Sequence, residues 1–153
     1  MATYTKYGDA GTAGHPSIKR VPYLVENTVN LADFDPAAGS IIECLAVPAE
    51  TLVIHAGLEV LTASTSSTTM DLGITGSTHG HSDADCWVDG HDTTSTGYAP
   101  HDMIASGDSN IMLTAKTAET IDILTAGATD ILGKVRVFAL MVDISGVDET
   151  DRN

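Results

Sequence analysis

Thr51-Leu52-Val53-Ile54-His55-Ala56-Gly57-Leu58-Glu59-Val60 is the stretch that decides the fold class of this chain. Leu52, Ile54, Ala56, Leu58 and Val60 alternate with Thr51, Val53, His55, Gly57 and Glu59, a period of two held over ten residues. One face is wholly apolar and the other mixed, as expected of a strand with one side on a core. Further along, Val135, Val137, Ala139 and Met141 alternate with Arg136, Phe138, Leu140 and Val142. Both faces are largely apolar there, which predicts a central strand or one whose outer face meets a partner. Weaker patterns place strands at Ile41–Val47, Thr68–Ile74, 111–116 and 120–124. Turn residues at Pro36, Gly39, Pro48, 64–67 and Gly127 separate the runs. Helical periodicity is poor, with room for a short turn at 33–38 or 100–105. These features predict an all-β fold, a single β-sandwich or jelly-roll-like domain.

Three segments depart from the strand pattern. Residues 1–20 carry Gly8, Gly11, Gly14 and Pro16 with little apolar periodicity, so they read as an extended N-terminal arm in front of a sandwich spanning 21–145. Residues 76–108 read as a long, acidic, histidine-rich loop insertion, and a loop of that length is functional or a partner surface. Within it, Trp87 and Val88 are expected to pin the insertion to the core. Residues 146–153 read as a polar C-terminal tail.

The charge distribution excludes whole classes of partner. The chain of 153 residues has a formal net charge of -14, and from 21 to 115 it has no lysine or arginine but thirteen carboxylates. Such a surface repels phosphate backbones and anionic lipid headgroups, which argues against nucleic acid and membrane surfaces as partners. The charge exceeds the ~2–8 units usual for a small domain, and salt would screen it as the Debye length shrinks from ~8 Å to ~3 Å at 1 M. The start of the chain lacks the apolar core of a secretory signal, so synthesis in a cytoplasm without export is expected. Cys44 and Cys86 form a single possible pair without a CxxC spacing, and Cys44 reads as a small buried hydrophobe.

No motif asks for catalysis. There is no GxSxG elbow, no phosphate-binding glycine loop and no dinucleotide fingerprint, so no catalytic residue, cofactor or cofactor-binding residue is assigned. His79, His81, His91 and His101 cluster in the insertion among aspartates. His79-Gly80-His81 with Asp83 and Asp85 is the candidate metal set, since paired imidazoles with a carboxylate suit a first-row cation. The plainer reading is a solvated polar loop, because the spacing matches no zinc signature and the aspartates fail the calcium-loop pattern. His55 reads as a structural or interface histidine. A rival binding role, in a tail- or fibre-associated adhesin, would expose Trp87 and Tyr98 as stacking platforms for a host glycan.

The run Ile42-Glu43-Cys44-Leu45-Ala46-Val47-Pro48-Ala49-Glu50-Thr51, continuing to Gly57-Leu58-Glu59-Val60, resembles a block in small structural proteins of tailed phages. Glu50 stands where those proteins more usually have Gly. Thr69-Met70-Asp71-Leu72-Gly73, Asp85-Cys86-Trp87-Val88-Asp89-Gly90, 121–127 and 133–143 continue the resemblance, which covers about 26–145. The family it resembles is the tailed-bacteriophage head decoration, or cement, proteins. That resemblance implies a noncatalytic β-sandwich on the capsid exterior of the virion, bound to the major capsid protein and commonly a homotrimer. The arm would then carry Lys6, Lys19 and Arg20 to the shell, and the second apolar face of 134–144 would lie against neighbouring subunits.

Overall fold

The computed structural model describes residues 20–34, 36–75, 83–99, 113–115, 117–127 and 132–145. Nine strands form two antiparallel sheets among them: β1 (Tyr23–Asn30), β2 (Ile41–Val47), β3 (Thr51–Thr62), β4 (Thr68–Ile74), β5 (Asp83–Asp92), β6 (Gly97–Tyr98), β7 (Leu113–Ala115), β8 (Glu119–Gly127) and β9 (Lys134–Asp143). A single 3-10 turn, Leu31–Asp33, follows β1. Sheet A runs β1-β9-β3-β6, with β7 also on β3, and sheet B runs β2-β8-β4-β5. The chain crosses between sheets at β1 to β2, β2 to β3 and β3 to β4, and again from β5 to β6, β7 to β8 and β8 to β9. This is the wrapping of a jelly roll, the all-β sandwich expected from the alternation.

β9 is central in sheet A, between β1 and β3. Its alternate residues Val135, Val137, Ala139 and Met141 are buried between the sheets. They meet Ile121 and Ile123 of β8, Met70 and Leu72 of β4, and Trp87 of β5 in one core. Each such side chain contributes about 1.5–3 kcal/mol on burial. At the sandwich edge, Asn27 Nδ2 of β1 donates to the Cys44 carbonyl of β2 at 2.9 Å. That carbonyl lies where the β2–β8 register shifts between Glu43 and Leu45.

The decisive strand differs from its sequence reading in one respect. Its pairing with β9 shifts register between Val53 and His55. Thr51 and Val53 are buried before the shift, and Ala56, Leu58 and Val60 after it. A β-bulge supplies one extra residue, so the inward parity changes from odd to even along the strand. Leu52 and Ile54 are therefore not on one continuous core face with Leu58; they are half-buried.

The stretch 83–92, read as part of a loop, is strand β5, paired with β4. Shifts between Met70 and Leu72 and between Leu72 and Ile74 hide it from a period-of-two pattern. Trp87 and Val88 are adjacent and both buried, which strict alternation forbids. The expected pinning of this segment to the core is observed. The turn before β3 holds another departure: Glu50 has φ 55, the left-handed region that favours glycine. Its carbonyl accepts from Ile144 N at 2.8 Å, joining the start of β3 to the end of β9.

Candidate functional site: two unlike outer faces

The two sheets present opposite chemistry to their surroundings. The strands of sheet B carry eight carboxylates, Glu43, Asp71, Asp83, Asp85, Asp89, Asp92, Glu119 and Asp122, and no lysine or arginine. The strands of sheet A carry Glu26, Glu59 and Asp143 against Lys134 and Arg136. The absence of bases from 21–115 thus becomes a one-sided acidic surface once the chain folds.

On the outer face of sheet B, Glu43, Asp122 and Gly73 lie opposite one another across three strands. Asp122 is only 2% exposed. Its Oδ2 accepts from the Thr75 amide at 3.2 Å and from the Thr75 hydroxyl, and its Oδ1 has no hydrogen-bond partner. Gly73 is required by a close approach: a Cβ there would lie 2.1 Å from the Asp83 carbonyl oxygen. Asp71 accepts from the Gly90 amide at 2.7 Å. Burial pushes the Asp71 carboxyl above its ordinary value, the Gly90 hydrogen bond opposes that, and Asp89 and Asp85 add to it.

On the outer face of sheet A, register sets Leu24, Leu140 and His55 in one row, and Glu26, Phe138 and Gly57 in the next. The Phe138 ring occupies the space a side chain at Gly57 would fill. Tyr98 meets that ring edge-on, with centroids 6.4 Å apart, and His55 meets it at 6.5 Å. Leu24 is 63% exposed and Tyr98 64%. Arg136 bonds Glu59, lies 3.8 Å from Glu26, and donates to the Tyr98 hydroxyl at 3.3 Å. One guanidinium is thus shared by carboxylates of the strands on either side. The outcome is an apolar face with nearly balanced charge.

Lys6 and Lys19 of the expected arm, and His79, His81, His101 and the arm itself, lie outside the described residues. Arg20 is described, and its guanidinium donates to the Asp143 carbonyl and to the Ser145 carbonyl at 2.6 Å. It ties the entry to β1 against the end of β9. Asp83 and Asp85 stand on β5, and among the described residues no group of three or more His, Cys, Asp or Glu side chains could hold a metal ion. His91 sits on β5, where burial lowers its pKa and Asp92 partly offsets that. Trp87 is 1% exposed, so it cannot be the glycan platform of the adhesin reading. Cys44 and Cys86 are free thiols, each pushed up to about 12 chiefly by burial. No helix among the described residues is long and apolar enough to cross a membrane.

Sequence reasoning missed β1, β5 and the short β6, and therefore the segregation of charge between sheets. The apolar triplet Cys86-Trp87-Val88 was the available signal for β5, and Tyr23, Val25 and Val29 for β1.

No protein-family model matches the chain, and no curated protein does. Solved structures do share the fold. A chain of the cyanophage Pam1 capsid asymmetric unit aligns with TM-score 0.53 at 18% identity, covering 92% of this chain and 97% of that one. A chain in the capsid of Ralstonia phage GP4 aligns with TM-score 0.51 at 19% identity, covering 88% and 91%. The jelly roll described above is therefore similar, over nearly its whole length, to chains in phage capsid structures.

Proposed function

We propose that this chain is a viral structural protein, a decoration or cement protein that binds the outside of a phage head and stabilises the shell by bridging its subunits. The observation that carries this reading is the similarity, at nearly full length on both sides, to a chain of the Pam1 capsid asymmetric unit. The lack of bases on sheet B suits a solvent-facing surface that keeps particles apart and clear of nucleic acid. In this reading Lys6 and Lys19 reach the major capsid protein, and Arg20 fastens the base of the arm to β9. Association as a homotrimer multiplies weak shell contacts into a strong one.

The test is deletion of the gene from its phage and readdition of the purified chain to the heads. Heads lacking the chain should open at lower temperature, and readdition should restore them, with the chain accessible to antibody on the outside. Heads that neither lose stability nor bind the chain would overturn the proposal. A variant lacking residues 1–19 that still binds heads fully would remove the arm from it.

A further inference from the structure

We infer that the outer face of sheet A is the surface on which copies of this chain meet. The inference deepens the self-association in the reading above and does not depend on the shell as partner. The outer faces of the two sheets meet a second copy on very different terms. Sheet B against sheet B would bring together two sets of strands that each carry eight carboxylates, of which Asp122 is buried, and neither set has a lysine or arginine to relieve them. In water each opposed pair at 4 Å costs about 1 kcal/mol, so a few of them defeat association.

Sheet A has no such barrier. Arg136 neutralises Glu59 and draws in Glu26, and Lys134, exposed on the same side of β9, brings the outer face to two bases against two carboxylates. Around that ion pair stand Leu24, Leu140, Phe138 and Tyr98, with Leu52 beside them across the β9 register. The bulge after Val53 contributes to this surface by turning the strand's parity, so that Leu52 lies on the outer side although Leu58 and Val60, of the same parity in sequence, point inward. Exposed apolar surface of this kind gains about 25 cal/mol per Å² when covered. A partner rich in lysine or arginine would select sheet B. A partner with this chain's own net charge of -14 is admitted only where charge is balanced, which is sheet A.

The experiment is sedimentation equilibrium of the full chain at moderate and high salt, with no heads present. Leu24→Glu and Tyr98→Glu place a carboxylate on sheet A, and Ile41→Glu, at a 53% exposed position on sheet B, is the matched control. The wild type should associate, more tightly at high salt. Both sheet A variants should weaken association roughly tenfold or more, and the control should resemble wild type in moderate salt far more closely than they do. Radical footprinting of the wild type should show Tyr98 protected with rising concentration, a readout that needs no variant to fold. A chain that stays monomeric at every concentration overturns the inference, as does association that survives both sheet A variants or is lost only in Ile41→Glu. Heads that bind a chain shown to be monomeric would overturn this inference and leave the decoration reading standing; association through sheet A by a chain that no head binds would do the reverse.

Discussion

The Phe138 ring lies over Gly57: a Cβ built on Gly57 would sit 2.5 Å from the ring Cζ. The glycine on β3 and the aromatic residue on β9 are directly opposite in register, so neither can change without the other. Gly57→Ala should destabilise the fold by about 1–3 kcal/mol, because the ring must leave its seat against Tyr98 and His55. Phe138→Leu in the same chain should recover part of that loss, which a double-mutant cycle by urea unfolding would measure. Additive losses would show that the contact is not the cause.

Asp122 is expected to respond differently to two substitutions. Asp122→Ala removes the acceptor of the Thr75 amide and hydroxyl and should cost about 1–3 kcal/mol. Asp122→Asn keeps an acceptor and removes a buried charge whose Oδ1 has no partner, so it should be neutral or stabilising. Chemical denaturation at pH 7 distinguishes the two. Equal losses would mean that the charge itself is needed.

The pH dependence of stability has a definite sign at Asp71. Its folded-state pKa is raised above the ordinary 3.8, chiefly by burial, so the folded chain holds that proton more tightly than the unfolded chain. Stability from this group is therefore greatest at low pH and falls as pH rises through the window above 3.8. Asp71→Asn should flatten that part of the profile and raise stability at neutral pH. Asp143 acts oppositely, since hydrogen bonds from Ser145 lower its pKa and its contribution is lost as pH falls through the lowered value. Melting temperatures of both Asn variants across pH 3–7, a window set by ordinary carboxylate titration, should diverge in sign.

Both thiols should be silent in the folded chain. With Cys44 and Cys86 each pushed up to about 12, the thiolate is scarce at pH 8, and iodoacetamide should label neither until the chain unfolds. Rapid labelling of Cys86 in native buffer would show that its edge of β5 opens. Melting should also be unchanged by reductant, because no disulfide joins the pair.

Glu50→Gly should stabilise the chain by about 1 kcal/mol, since a left-handed backbone costs an L-residue roughly 1–2 kcal/mol and glycine little. Thermal unfolding of the single variant checks it. An unchanged or lower melting temperature would mean that the Glu50 side chain makes up the difference.

How much of this was legible in the sequence differs by strand. The alternation of 135–142 correctly indicated a central strand with a second apolar face, because no bulge interrupts its pairing with β1. Ile41–Val47 and Thr68–Ile74 were legible to the residue. The apolar side of β3 was read correctly after the bulge, at Ala56, Leu58 and Val60, and misread up to it, at Leu52 and Ile54, since one bulged residue leaves composition untouched while reversing which side chains point inward. β5 escaped because its acidic residues and glycine carry the look of a loop, and only the β4 backbone across Gly73 gives them a ladder. The apolar face with Tyr98 was illegible for another reason: it gathers residues 24, 57, 98, 136 and 138 from four strands, and only the topology brings them together. The absence of lysine and arginine from 21–115 was plain, but its concentration on one sheet was not.

That concentration gives the domain a permanent dipole as well as a net charge. With eight carboxylates on the strands of one sheet and near balance on the other, the described sandwich has a preferred orientation in any external field. Near a positively charged surface it turns sheet B inward before contact; near a negatively charged one it turns sheet A inward. The sign of a distant surface therefore selects which side of the sandwich arrives first, and salt, by shortening the reach of that field, decides from how far away the choice is made.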